Sequence, residues 1–277
     1  MKKQALLSIA VMLGMTLCVN AQKTVDFTYR YPSKPVSYTN SENIHESLDV
    51  QGQTMDVFVT GFMGCNVKSA GNNSKNVSLT ITVDTLAQTI DSPQGMMGGG
   101  VSEAKGKSFD LVLMPNGKIA DISGAKNATY NIPGQGPGNF STSFADFFPV
   151  LPAGKVSQGY TWTSVDTVST DTGSNTQVTI MNSESKFEGF EEVNGVNCAK
   201  ITSSTTGTSN MRNQVQGMDM KTTGNFTGTS VTYFSHESGY FIKFTSTTKM
   251  TGNVEMPNEG YSFPVVMDIV ETTEVKK

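Results

Sequence analysis

The sequence predicts an all-β fold, mainly antiparallel, in the form of one large curved sheet or barrel. Three observations carry that expectation. Apolar and hydroxyl residues alternate with period two along most of the chain, the pattern of half-buried strands. Asn-Gly and related pairs mark tight reversals between these runs. Only one stretch sets its apolar residues at helical spacing.

Taken in order, residues 1–21 read as an export signal. Lys2 and Lys3 precede an apolar run from Ala5 to Val19, and Val19-Asn20-Ala21 ends in a small residue before Gln22. The run of 15 residues is shorter than the roughly 20 that cross a bilayer. Leu17, where a small residue is wanted, argues against a lipid on Cys18. We therefore expect an exported protein of the periplasm, outer-membrane surface or extracellular space, with 22–277 as a single β-rich domain and no transmembrane span. Cleavage leaves 18 basic against 24 acidic residues, and no Lys/Arg stripe, which excludes nucleic acid as a natural partner.

Val25, Phe27, Tyr29 and Tyr31 share one face of a first strand. Ile44, Leu48 and Val50, then Gly52, then Met55, Val57 and Val59 read as a hairpin. Val77, Leu79, Ile81 and Val83 form another apolar face, with Ser78, Thr80 and Thr82 opposite. Gly95 to Gly100 reads as a mobile loop. Phe109, Leu111 and Leu113 run into Pro115-Asn116-Gly117 and resume at Ile119, a second hairpin, and Asn194-Gly195 marks a third.

Between two strand-rich halves lies the single helix expected here, with Phe140, Phe144, Phe147, Phe148 and Leu151 on one side and Pro149 and Pro152 near its end. Pro133 to Gly138 upstream reads as a flexible connector. The halves 25–146 and 147–268 align at an offset of 122: Leu79 falls on Ile201, Tyr38 on Tyr160, Gly117 on Gly239. Two duplicated strand meanders are one explanation, and chance among abundant Gly, Ser and Thr is the other.

Chemical motifs are incomplete. Gly106-Lys107-Ser108 lacks the first glycine and the helix of a phosphate loop. His45 and Asp49 lie about 13 Å apart on a strand, too far to share a zinc ion. His236 is expected in a solvated turn, and no Gly-x-Ser-x-Gly elbow exists. Met211, Met218 and Met220 read as packing residues before Cu(I) ligands. Asp171, Gly173 and Asn175 lack the rest of a calcium loop. No catalytic residue, metal site or cofactor is expected. Paired carboxylates for a hydrolase are invisible in one sequence. Cys65 and Cys198 either pair in the oxidising compartment or stay separate buried thiols. Thr85 and Thr167 stand in Asp-Thr-apolar triplets resembling bacterial O-glycosylation sites.

Phe148-Pro149-Val150-Leu151-Pro152, then Gly159-Tyr160-Thr161-Trp162 and Asn194 to Ile201, resemble a family of secreted β-rich proteins of unknown function from Gram-negative, Bacteroidetes-type envelopes. The overall texture is similar to lipoprotein carriers whose curved sheet surrounds an apolar cavity. The resemblance carries over no catalytic residue, and the aromatic helix between two strand-rich halves points to a non-catalytic envelope protein that holds an apolar or lipid-like ligand, with Phe140 to Leu151 as plug or lid. Phe140, Phe144, Phe147, Phe148, Leu151 and Trp162 are then the expected ligand-binding residues. The alternatives are a cell-surface structural or adhesive module with a solid core, and, behind both, a carboxylate-dependent envelope hydrolase. In all three the strands are expected to be dry on the inner face and hydroxyl-rich on the outer.

Overall fold

The computed structural model describes residues 24–72, 75–132, 136–171, 175–215 and 218–276. The expected signal, Pro133 to Gln135, Gly173 and the side chain of Met218 lie outside the described residues. In the first half the strands are β1 (Val25–Asp26), β2 (Val36–Val50), β3 (Gln53–Asn72), β4 (Val77–Ser92), β5 (Gly95–Gly100), β6 (Ser108–Leu113), β7 (Ile119–Asp121), β8 (Thr129–Ile132) and β9 (Gly136–Asn139). In the second they are β10 (Lys155–Val156), β11 (Thr161–Asp171), β12 (Asn175–Val193), β13 (Val196–Val215), β14 (Met218–Ser235), β15 (Tyr240–Met256) and β16 (Tyr261–Val275).

Twelve of these form one antiparallel sheet in the order β11-β12-β13-β14-β15-β16-β2-β3-β4-β6-β7, with β5 beside the far end of β4. The C-terminal strand thus joins the two meanders, pairing Val265 with Leu48 through to Val275 with Tyr38. The fold class expected from the alternation is the one found, in its open form. β11 and β7 are edges, so the sheet curves without closing into a barrel. Lys118, just before β7, spans the seam to Asp166 on β11 at 2.5 Å.

Local sequence explains the long hairpins. Gln51 and Gly52, like Asn194 and Gly195, both take positive φ, the two-residue turn whose twist matches paired strands. Gly117 (φ 92°) is needed twice over, because a Cβ there would stand 2.6 Å from both the Pro149 carbonyl and the Tyr29 ring.

Three expected elements differ. Phe27, Tyr29 and Tyr31 do alternate inward and are buried, but only Val25–Asp26 is strand, paired to β10. Beyond it the backbone bonds to loops: the Tyr29 N–H donates to the Pro115 carbonyl and the Arg30 N–H to the Gly239 carbonyl. Gly95–Gly100 is a strand on β4, since Met97 and Met96 find partners in Ile90 and Asp91. The connector continues into a hairpin, β8 with β9.

The helix is much shorter than its spacing predicts. Only Ser141–Phe144 is helical, its start held by Asn139 Oδ1, which accepts from the Ser141 N–H and hydroxyl at 2.9 and 2.6 Å. Pro149 disfavours helical backbone at Phe148, and the adjacent Phe147 and Phe148 both turn inward with their rings at 70°. A second short helix, Ser123–Asn127, was not anticipated.

Phe140, Phe144, Phe147, Phe148 and Leu151 are all buried, and with Phe27, Tyr29, Tyr31, Phe234 and Phe241 they fill one end of the curved sheet. Hydroxyls inside this end are satisfied. Tyr31 donates to Tyr38 at 2.9 Å, Tyr38 to the Phe241 carbonyl at 2.9 Å, and Tyr29 to the Pro149 carbonyl at 2.8 Å. Cys65 and Cys198 are separate thiols, so the disulfide alternative is corrected. Burial pushes them up to about 12 and about 11, far from a reactive thiolate.

Candidate functional site

The site follows from which residues keep the inward phase of each strand. On β2 that phase begins with Val36 and Tyr38 in the packed end and finishes with Leu48 in a second, smaller apolar cluster with Met250, Val254, Val265 and Met267. Between them the same phase carries Asn40, Glu42, Ile44 and Glu46. On β16 it carries Ile269 and Glu271, and the register sets Glu271 directly opposite Glu42. Opposed residues on adjacent strands have Cβ atoms about 4.5–5.5 Å apart, so two carboxylates are held side by side. Asp146, between Phe144 and Phe147, brings a third from the plugging segment.

These carboxylates stand where two cavities adjoin, of about 530 and 430 Å³. Both are lined by Glu42, Asp146, Val168, Gln177, Met211 and Glu271. The larger is floored by Phe148 and Leu151 and walled by Ser183, Ser185, Ser203, Thr205, Ser230 and Ser246 together with Met181, Phe226, Met250 and Met267. Several wall hydroxyls bond across strands, Ser183 with Thr205 at 2.9 Å and Ser185 with Ser203 at 2.8 Å. The smaller lies under the β8–β9 hairpin, against Phe62, Leu86 and Thr170.

The inner face is therefore not uniformly dry, and that expectation is corrected. The plugging segment covers one end only, and where it stops the inward phase changes from Val, Leu and Ile to Ser and Thr. A hydroxyl facing a hollow keeps its hydration, so its presence there carries no desolvation cost.

Electrostatics sharpen the picture. Glu271 accepts from Asn40 Nδ2 at 2.7 Å, yet its carboxyl is pushed up to about 7, first by burial and then by the charges of Asp146 and Glu42. Burial also raises Glu42, with Asp146 adding to it, and burial raises Asp146, whose own amide partly opposes the shift. Asp146 lies deep in the molecule while much of its surface stays free, because that surface faces the hollow. Lys118 is the one Lys or Arg lining either cavity among the described residues, and Asp166 already holds it. No group of three or more His, Cys, Asp or Glu among the described residues is placed to hold a metal ion.

The ligand-binding residues expected from sequence divide. Phe148 and Leu151 reach the hollow, whereas Phe140, Phe144 and Phe147 are interior to the packed end and line no wall of the larger cavity. Trp162 packs half-buried against that end, stacked on Tyr160, with its indole N–H unpartnered. Thr85 and Thr167 are exposed within β4 and β11. His45 points outward, stacked on Phe58 and bonded to Asp56 at 2.9 Å. The turn at His236 is not simply solvated: Arg30 covers it, donating to the His236 carbonyl at 2.7 Å. Met211 and Met220 pack on the second apolar cluster.

Sequence reasoning missed Glu42, Asp146 and Glu271. The signal was available for two of them, since a carboxylate in the apolar phase of a strand is out of place unless the strand faces something wet.

No helix of the described residues is long and apolar enough to cross a membrane. The outward faces carry cross-strand ion pairs such as Lys200 with Glu191 at 2.9 Å and Lys243 with Glu274 at 3.5 Å, beside exposed apolar residues such as Phe58, Val165 and Ile180.

No family model and no curated protein matches the chain. Among solved structures it is similar to Pseudomonas aeruginosa OccK5 (OpdH), at 6% identity and TM-score 0.30, over 89% of this chain and 99% of that one. It is similar to a putative exported protein with YmcC-like fold from Bacteroides fragilis, at 10% identity and TM-score 0.26, over 91% and 100%. It is also similar to a DUF1329 family protein from Desulfovibrio piger, at 12% identity and TM-score 0.14, over 86% and 85%. Scores this low decide nothing about the site.

Proposed function

We propose that this is an exported envelope protein that binds a lipid-like ligand, without catalysis, in the hollow of its curved sheet. The hollow is the observation that supports the reading: the adjoining cavities of about 530 and 430 Å³ fall in the size range of small-molecule sites, and Met and Phe side chains share their walls with many hydroxyls and the three carboxylates. Export is supported by the pattern of residues 1–21. A structural or adhesive module needs only the packed end. The alignment at offset 122 supports a duplicated meander. Displaced by 122, β2, β3 and β4 fall at 158–172, 175–194 and 199–214, where β11, β12 and β13 lie.

Native mass spectrometry of the protein purified from its own envelope tests the binding reading. An added mass that organic extraction removes is expected, and a single ligand-free mass before and after extraction would discard it. A carboxylate hydrolase is the second reading, favoured by Glu42 and Glu271 standing side by side with one held up to about 7, the arrangement of an acid and a base. Cleavage of aryl glycosides that Glu271→Gln abolishes would support it, and inert wild-type protein would remove it.

A further inference from the structure

Among the described residues no cation pairs with the three carboxylates of the hollow. Among the described residues neither Glu42 nor Asp146 has a hydrogen-bond partner on another residue, and Glu271 has the neutral Asn40 and Thr273. Lys118, at the rim, is committed to Asp166. Asp146 lines the space that both cavities share, with much of its surface free toward it. Carboxylates crowded on one hollow repel one another, and a partner that brings positive charge or donated hydrogens to them relieves that repulsion.

Charge decides between ligand classes. A carboxylate or phosphate head would add an anion to a site already crowded with acids, while an uncharged head would leave their repulsion in place. A protonated amine offers three donors and one positive charge to oxygens on β2, β16 and the plugging segment. Beyond the acids the wall turns apolar, toward Met211, Met250, Met267 and Phe226, and thioethers adapt to irregular apolar shapes.

We infer that the hollow selects a molecule with a protonated amine on an apolar body, the amine seated among Glu42, Asp146 and Glu271 and the body lying along the methionine-lined wall. This rests on reading the hollow as a binding site.

The test is calorimetric titration at pH 7.5 with decylamine, decanoate and decanol, which share a tail and differ in the head. Decylamine binding about tenfold or more tighter than the other two is expected. In the Glu42→Gln/Asp146→Asn double variant that preference falls to about threefold or less, while decanol binding changes by less than about twofold. If none of the three probes binds wild type, the binding reading itself fails. If decanoate or decanol binds as tightly as decylamine, the hollow stands and the amine selectivity is overturned. A preference that survives in the double variant overturns it as well. Thermal melting checks folding, which relief of the acidic repulsion favours. Should that variant not fold, Glu271→Gln provides the same comparison.

Discussion

β4 and β13, one strand from each side of the β16–β2 junction, differ in what they present inward. β4 offers Val77, Leu79, Ile81 and Val83, all buried. At positions 122 residues later β13 offers Ala199 and Ile201, also buried, and then Ser203 and Thr205, half-buried against the hollow. Both strands alternate with the same period two, so strand periodicity does not set the difference. What lies over the strand does: the phenylalanine segment and the N-terminal tyrosines cover all of the β4 run and only the beginning of β13. One sheet thus supports a solid end and a wet one.

Removing a ring from the solid end is the strongest way to break that contrast. Phe144 is fully buried against Phe109 and Phe147, so Phe144→Ala is expected to cost about 3–5 kcal/mol and to lower the melting temperature by on the order of 10 °C, followed by circular dichroism. A loss under about 1 kcal/mol would show this end to be loosely filled.

Substitution in the wet end acts in the opposite direction, and its effect depends on pH. Glu271 is held up to about 7 from an ordinary 4.5, so what its protonation contributes to stability is complete below pH 4.5 and is lost as pH rises through 7. Glu271→Gln is therefore expected to be more stable than wild type by about 2 kcal/mol at pH 8 and equal to it at pH 4. Denaturant titrations at the two pH values check this, and a variant destabilised at pH 8 would contradict it.

Tyr38→Phe removes the donor to the Phe241 carbonyl and the acceptor of Tyr31 within the solid end, an expected loss of about 1 kcal/mol in urea unfolding. Ser246→Ala in the wall of the hollow is expected to stay within about 0.5 kcal/mol, since the hydroxyl faces open space. A larger loss for Ser246→Ala than for Tyr38→Phe would reverse the two ends.

Much of the fold was legible because alternation, Asn194-Gly195 and Asn116-Gly117 act locally, and strand pairing obeys them. The length of the helix was not, because Phe140 to Leu151 satisfies helical spacing while burial of neighbouring Phe147 and Phe148 and the following Pro149 decide the backbone. The site was half legible. Glu42 and Glu271 interrupt inward apolar runs and were readable in principle, but their pairing depends on the β16–β2 ladder, which joins residues more than 200 positions apart. Asp146 depends on a loop whose path no periodicity encodes.

The curved sheet brings Glu42, Asp146 and Glu271 together on one hollow. Titration of the side-chain carboxyl carbons by NMR, with Glu271 assigned through Glu271→Gln, tests it most directly. A Glu271 midpoint near 7 that falls in Asp146→Asn is expected; a midpoint at the ordinary 4.5, unmoved by that substitution, would contradict the account.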